Sequence, residues 1–174
     1  LETNTNWEKL AFNQDAKTRM VDISATGGND KTRFFLSGGF NDQDGILFLN
    51  SFQRLSTRFN LDHEASSRLK LGFNMSLSRT IGNRVAADNE FYTPMQIVAL
   101  APITPVRDQS GVLYDRPTTT YYNPLIETED SRYFSTTFRN IGGLYLNYKL
   151  VPGLVFKTEF SADIQNQSDD RFYG

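Results

Sequence analysis

The chain has 174 residues, a formal net charge of −2 and an aromatic content of 13%. It contains no cysteine, which excludes disulfides and thiolate metal sites, and it has no basic stripe of the kind that nucleic-acid binding requires. No run of apolar residues is long enough for a membrane-spanning helix, whereas the strands of a transmembrane β-barrel alternate between lipid and lumen and therefore look polar on average.

The first part of the chain alternates apolar and polar residues with a period of two. Residues 1–16 show no such period and stay unassigned, while 17–80 contain four alternating runs. The turn Gly27-Gly28-Asn29-Asp30 separates the first two runs, because glycine and asparagine tolerate positive φ angles. We predict that these two runs form a hairpin and that residues 41–45 form the next loop.

The fourth run shows the pattern most clearly. Five apolar residues occupy alternate positions from Leu69 to Leu77, and polar or small residues fill the positions between them. A helix would distribute these five side chains around its axis, whereas a strand places them all on one face. The segment is therefore predicted to be a strand that follows a polar turn at residues 63–67.

The alternation stops in residues 81–132, which contain all but one of the six prolines. Residues 93–102 are compatible with one or two helical turns, and the remainder is predicted to be a long extracellular loop. Aromatic side chains offer large contact areas at little cost in rotamer entropy. The candidate substrate- or partner-binding residues are Phe91, Tyr92, Tyr114, Tyr121 and Tyr122. The alternative is that these side chains pack the loop onto the rim of the sheet.

The alternation returns in residues 133–166, which we predict to be a hairpin that turns at Val151-Pro152-Gly153. Residues 167–174 are predicted to begin another polar loop. The chain as a whole is thus predicted to contain about six antiparallel strands, each of roughly 10 to 14 residues, whereas strands of soluble proteins average nearer five or six.

Strand length and loop asymmetry favour a transmembrane β-barrel. About 12 residues at roughly 3.3 Å each, tilted by about 45°, cover some 28 Å along the membrane normal. Short turns are predicted at one end of the sheet and longer loops at the other, as in outer-membrane barrels. A soluble β-sandwich or lipocalin-like barrel alternates too and remains open. Since about eight strands are needed to close a membrane barrel, we expect the chain to be a fragment of a larger one.

Sites for catalysis or metal binding find little support in the sequence. Residues 41–45 resemble the opening of a calcium loop but lack its closing glutamate, and His63 is the only histidine. The glycine pairs are not followed by helices that could bind phosphate, and the carboxylates of residues 127–130 are typical of a solvated loop. We predict no catalytic residue, no metal ligand and no cofactor, and hence that the chain is not an enzyme.

Several segments, taken in order, resemble a known family. They are SATGGNDKTRFFLSGGFNDQDGI from Ser24, RLSTRFNLDHEASSRLKLGFNMSLSRT from Arg54 and GGLYLNYKLVPGLVFKTEF from Gly142. These segments resemble the SusC/RagA-type TonB-linked outer-membrane transporters of Bacteroidetes. The likeness extends over residues 17–166, with Phe40 where the family has tyrosine.

This resemblance implies a barrel of about 22 strands with a plugged lumen in the outer membrane of a Gram-negative bacterium. It also implies import of oligosaccharides or peptides driven by the TonB complex, together with a SusD-like surface lipoprotein. Membrane lipid is a further expected partner and nucleic acid is not. Neither a plug domain nor a TonB box is recognisable in these residues. A passive porin, a structural outer-membrane barrel and a soluble β-sandwich binding module are the alternatives.

Overall fold

The computed structural model describes residues 3–84, 97, 99–118, 121–123, 125–126 and 131–172. In this part of the chain, six strands form one antiparallel sheet in which each strand pairs with the next in chain order. The elements are α1 (Trp7–Ala11), β1 (Thr18–Gly28), β2 (Thr32–Asp44), β3 (Ser51–Glu64), β4 (Leu69–Asn83), β5 (Arg132–Val151) and β6 (Leu154–Phe172). The predicted all-β, up-and-down architecture is confirmed, while the size of a complete barrel stays a prediction.

The connections alternate in length as predicted. Residues 29–31, 65–68 and 152–153 make tight turns at one end of the sheet, here called the short-turn end. At the opposite, long-loop end, residues 45–50 connect β2 to β3 and residues 84–131 connect β4 to β5. Gly153 adopts a φ of 85° in its turn, a conformation that glycine reaches without steric cost.

Two predicted loops are partly strand. β2 continues to Asp44, so most of residues 41–45 pair with β3, and β6 continues to Phe172 through residues predicted to begin a loop. Polar residues support this extra pairing. The amide of Gln53 on β3 donates to the carboxylate of Asp42 on β2 at 3.1 Å. Backbone ladders need no apolar side chains, and the strands therefore extend beyond the segment that the apolar alternation marks.

Cross-strand register divides the side chains between two unlike faces. The apolar face carries rows such as Phe34–Leu61–Phe73–Leu144–Phe160 and Leu36–Phe59–Met75. The opposite, polar face carries rows such as Ser37–Arg58–Ser76 and Asn60–Asn74. A strand sends successive side chains to opposite faces, and the alternation in sequence thus becomes this separation.

The apolar face is not covered by any other described part of the chain. Its side chains are exposed, reaching 71% for Ile23 and 70% for Phe160. The apolar band extends from Tyr148 and Phe156 at the short-turn end to the row of Phe40, Leu55 and Phe138, in which Arg79 lies between Leu55 and Phe138. The next row towards the long loops is mostly polar; it carries Arg19, Asp42, Gln53, Thr136 and Ser168. The apolar surface is thus bounded and occupies one face only.

One side chain on the polar face spans three strands. Tyr145 on β5 lies across Gly72 on β4, where a Cβ atom would clash with its ring, and the Tyr145 hydroxyl donates to the Asp62 carboxylate on β3. The absence of a side chain at Gly72 therefore leaves the space into which the Tyr145 ring fits. This contact fixes the register of β3, β4 and β5 relative to one another.

We predict that Gly72→Ala lowers the free energy of unfolding in detergent micelles by about 1–3 kcal/mol, because the new methyl group displaces the Tyr145 ring. The measurement is urea unfolding followed by tryptophan fluorescence and by loss of β-sheet circular dichroism. Gly82→Ala is the matched control, since Gly82 lies on the same strand and face and a Cβ atom there would have no neighbour within 4 Å. Equal losses for the two variants would contradict the role assigned to Tyr145.

Candidate functional site

The segment before β1 and the long loop between β4 and β5 share a small hydrophobic core at the long-loop end of the sheet. Trp7 and Ala11, one turn apart on α1, are buried together with Ile97 and Leu100. Five partly buried apolar residues pack around them: Leu10, Phe12, Val106, Tyr121 and Leu125. We call these nine residues the loop core. It is the place where α1 holds the long loop.

Hydrogen bonds strengthen this attachment. The indole Nε1 of Trp7 donates to the carbonyl of Ala101 at 3.3 Å, and the Thr5 hydroxyl donates to the carbonyl of Thr104 at 2.7 Å. The Asn6 side chain caps α1 by accepting from the backbone N–H of Lys9 at 3.0 Å. Periodicity could not reveal α1 because five residues are too few, although Asn6 before Trp7 is a typical helix start.

One buried polar side chain inside the long loop has its hydrogen-bonding groups paired. Asn123, only 2% exposed, donates through Nδ2 to the carbonyl of Val106 at 3.1 Å. Its Oδ1 accepts from the backbone N–H of Leu125 at 3.1 Å, and its own N–H donates to Asp115. A buried amide with these bonds satisfied holds distant loop segments together at little energetic cost.

The predicted aromatic residues have different surroundings. Tyr121 is one of the partly buried residues of the loop core. Tyr122 lies under the Arg116 guanidinium, 4.2 Å from its ring centroid, and Arg116 also donates to its hydroxyl. Tyr114 is 39% exposed. Phe91 and Tyr92 lie outside the described residues, and a binding role for these aromatics stays a prediction.

A cation–π cluster at the base of the long loop was missed from the sequence. Arg84 and Arg171 lie over the ring of Tyr133, with guanidinium carbons 4.4 and 4.1 Å from its centroid. Both also donate to its hydroxyl, at 2.5 and 2.9 Å. Tyr133 is 3% exposed and lies beyond the apolar band, at the long-loop end of β5. These three residues are far apart in sequence, and only the strand register brings them together.

This cluster holds the two ends of the loop together. Arg84 follows β4 where the loop begins, and its backbone N–H donates to the carbonyl of Tyr133, next to where the loop returns. The hydrogen bonds from Arg171 and Arg84 lower the pKa of the Tyr133 phenol, since both cations favour the ionised form. Cation–π contacts of this kind contribute about 0.5–2 kcal/mol each.

Charged side chains also line the polar face between its ends. Arg139 on β5 makes two bonds to the Asp163 carboxylate on β6, from Nε at 2.9 Å and from a terminal nitrogen at 2.5 Å. This paired, planar geometry gives both strength and orientation. On β3, Arg58 stands between Ser37 and Ser76 in its cross-strand row. The polar face is thus a wall of charged and small hydrogen-bonding groups.

In the described ranges, no three His, Asp or Glu side chains lie close enough together to hold a metal ion. The same residues include no helix with the length and apolar character needed to span a membrane. What this geometry can do is present a structured loop surface at one end of a two-faced sheet.

Comparisons with known proteins identify relatives along nearly the whole chain. No protein-family model matches it. TonB-dependent receptor P39 of Formosa agariphila is 26% identical over 166 residues, which are 93% of this chain and 15% of the receptor. TonB-dependent receptor P26 of the same organism is 25% identical over 174 residues, 97% of this chain and 17% of the receptor. The chain therefore spans about a sixth of these curated relatives.

Solved structures agree in fold. A chain of the RagAB peptide importer in the closed-closed state superposes with a TM-score of 0.78 at 22% identity, covering 98% of this chain and 20% of that one. The open-open state of the same importer gives the same TM-score. The resemblance to SusC/RagA-type TonB-linked proteins that was identified in the sequence is confirmed by these relatives, and the fold of the chain agrees with that of the matching fifth of the RagAB chain.

We predict that Trp7→Ala frees the long loop from α1 while leaving the sheet intact. Replacing a buried tryptophan by alanine costs about 3–5 kcal/mol, and this loss falls on the loop core alone. Hydrogen–deuterium exchange of residues 99–118 should rise strongly, and that of β3 and β4 should not. Lys9→Ala, at an exposed position of the same helix, provides the control. Unchanged exchange in Trp7→Ala would contradict the anchoring role of α1.

Proposed function

We propose that this chain forms part of the barrel wall of a TonB-dependent outer-membrane importer. The observation that carries the proposal is the uncovered apolar face of the six-stranded sheet. Each leucine- or phenylalanine-sized side chain moved out of water stabilises a structure by about 1.5–3 kcal/mol. A face with many such side chains needs an apolar environment, and the lipid of the outer membrane supplies it.

The polar face then lines the lumen of the barrel, which the family resemblance implies is filled by a plug. Its arginine, aspartate, asparagine and serine side chains suit such a surface, as they do in other transmembrane barrels. The sheet is open, since β1 and β6 do not pair with each other. Unpaired edge groups cost several kcal/mol each in lipid, so both edges pair with neighbouring strands in the assembled barrel. A barrel of about 22 strands fits the family resemblance.

The same proposal assigns sides of the membrane. Outer-membrane barrels place short turns in the periplasm and long loops outside the cell. The loop core and the Arg84–Tyr133–Arg171 cluster then lie on the outer surface, where a SusD-like lipoprotein would dock. All five predicted aromatic residues stay candidates for contact with that lipoprotein or with substrate, and Tyr114 and Tyr122 are the described ones outside the loop core. The similarity to a protein named as a peptide importer favours peptides over oligosaccharides.

In this function the chain performs no chemistry on its substrate. The importer captures solute at the loops, and energy from the TonB complex drives its passage. A passive porin is the second candidate, because it would have the same two-faced sheet. Uptake that stops when the proton-motive force is dissipated supports an importer. Uptake that persists would support a porin and contradict this proposal.

The membrane assignment predicts that two neighbouring residues on β6 respond oppositely to the same substitution. Phe160→Lys places a charge on the apolar face and should destabilise the assembled barrel by about 2–4 kcal/mol, the cost of a lysine near the bilayer midplane. Ser161→Lys, on the polar face, should be tolerated. The measurement is the yield of assembled protein in outer-membrane fractions, assessed by its heat-dependent mobility on gels.

Recovery of the wild-type protein in the soluble fraction would contradict membrane insertion. So would equal yields of the Phe160 and Ser161 variants. A soluble β-sandwich would itself be sensitive at Phe160, and fractionation of the wild-type protein is therefore the measurement that separates these two possibilities.

For the loops, we predict that Tyr122→Ala reduces solute uptake or lipoprotein docking without reducing barrel assembly. The change removes an aromatic contact surface and leaves the strands untouched. Co-purification of the lipoprotein and uptake of a labelled peptide are the two measurements. Tyr121→Ala is expected to act differently, because Tyr121 packs against the loop core and its loss also loosens the loop. Normal uptake and docking in Tyr122→Ala would remove this residue from the candidate site.

A further inference from the structure

The polar face contains a cavity of about 500 Å³ at its short-turn end. Four cationic side chains line it, from the β3–β4 turn and from strands β4 to β6: Arg68, Lys70, Lys149 and Lys157. Glu64 is the one acidic residue in the lining, and Ser66, Ser67 and Asn147 add hydrogen-bonding groups. We call this cavity the basic basin.

Strand register and turn geometry build the basin. Lys70, Asn147 and Lys157 are directly opposite one another on β4, β5 and β6. The backbone N–H of Lys149 donates to the carbonyl of Arg68 at 2.8 Å, which holds two of the cations on adjacent segments. The Ser66 hydroxyl fixes the turn by accepting from the N–H groups of Arg68 and Leu69 at 3.2 and 3.1 Å.

The positive charge of the basin is only partly balanced. Within the described chain, Lys157 is the one lining cation with a carboxylate in ion-pair range, that of Glu159 at 3.6 Å. The carboxylate of Asp62, close by on β3, keeps its negative charge while it accepts the hydroxyl of Tyr145, and Glu64 is directly opposite Lys70, so these two carboxylates offset part of the positive charge. Like charges held together in a concave surface raise the local potential and attract anions.

The basin lies on the face of the sheet away from lipid, so the anions that reach it come from the lumen. Phospholipids contact the apolar face, whereas the basin opens on the polar face that lines the lumen in the proposed function. An anion in the lumen arrives with the solute that the importer carries. Lysine side chains act as flexible point charges and therefore suit anions of varied geometry better than one fixed ligand.

We propose that the basic basin binds an anionic group of the imported solute, and that the importer therefore favours solutes carrying carboxylate or sulfate groups. This inference rests on the proposed function and names its substrate class. Arg54 and Arg58 on β3 extend the cationic character of the polar face towards the long loops. The solute then meets positive charge along the wall before it reaches the basin.

The test uses the complete transporter in its native outer membrane and matched pairs of labelled probes. One pair consists of two peptides of equal length that differ only in Asp versus Asn. The other consists of an oligosaccharide with and without sulfate groups. The Lys70→Gln, Lys149→Gln double variant removes two cations from the basin. Lys9→Gln makes the same chemical change at an exposed site on α1, at the other end of the sheet.

In the double variant, uptake of the acidic probe at subsaturating concentration should fall by about threefold for each cation removed, a loss typical of exposed charge contacts. Uptake of its neutral partner should not change, and Lys9→Gln should import both probes as the wild type does. A response limited to the peptide pair identifies carboxylates as the ligand, and one limited to the oligosaccharide pair identifies sulfates. Raising the salt concentration should reduce the preference of the wild type for acidic probes.

Undiminished uptake of acidic probes by the double variant overturns the inference, as does an equal loss for acidic and neutral probes in fully assembled protein. Neither result affects the proposed function, provided the wild type imports at least one probe in an energy-dependent manner. If the wild type imports none of the four probes, the inference fails, while the proposed function is decided separately by membrane fractionation and by the energy dependence of uptake. Heat-dependent gel mobility verifies in each case that the variants have assembled.

Discussion

The lack of an internal core in the sheet is the constraint on which the rest of the structure depends. Soluble β-sandwiches cover the apolar face of one sheet with another, about 10 Å away. In the described chain, the buried apolar side chains outside Tyr133 belong to the loop core, not to the two faces of the sheet. In the proposed importer the cover for the apolar face is the lipid bilayer, which covers such a face without requiring complementary shape.

Without a core, the register of the strands has to be specified in another way. A shift by one residue would move every side chain to the opposite face, which is prohibitive when one face meets lipid and the other water. Specific cross-strand contacts add to this constraint. Tyr145 reaches across Gly72 to Asp62, and Arg139 binds Asp163, each on the polar face. Water-facing surfaces tolerate such polar contacts, since unused donors and acceptors can bond to solvent.

The sequence predicted the sheet well wherever apolar and polar side chains alternate between the two faces. The five apolar residues at alternate positions from Leu69 to Leu77 lie on one face of β4 as expected, because a strand brings them together and a helix does not. The prediction failed beyond the apolar band, at residues 41–44 and 167–172. There both faces carry polar side chains, so polar residues continue the strand with no apolar signal to mark it. The extent of the apolar face thus set the extent of correct strand assignment.

The candidate site was harder to predict because its contacts join distant segments. Nothing local in the sequence places Trp7 beside Ile97, or Arg84 and Arg171 on either side of Tyr133. The aromatic content of the loop indicated contact surfaces, for binding or for packing, but it did not distinguish residues that pack, such as Tyr121, from those that remain accessible, such as Tyr114. That distinction depends on burial, and burial depends on the tertiary fold.

The two ends of the polar face differ in how they are built, and in the proposed importer this difference would bear on transport. At the long-loop end, α1 and a cation–π cluster fix the loop at both its interior and its base, so this end carries a structured surface that the proposed importer would use for recognition. At the short-turn end, flexible lysines surround an open cavity with an excess of positive charge. Recognition by shape at the first end and by charge at the second would let one importer accept related solutes of different length. A solute selected at the loops then needs only an anionic group, and no particular outline, to be held at the basin.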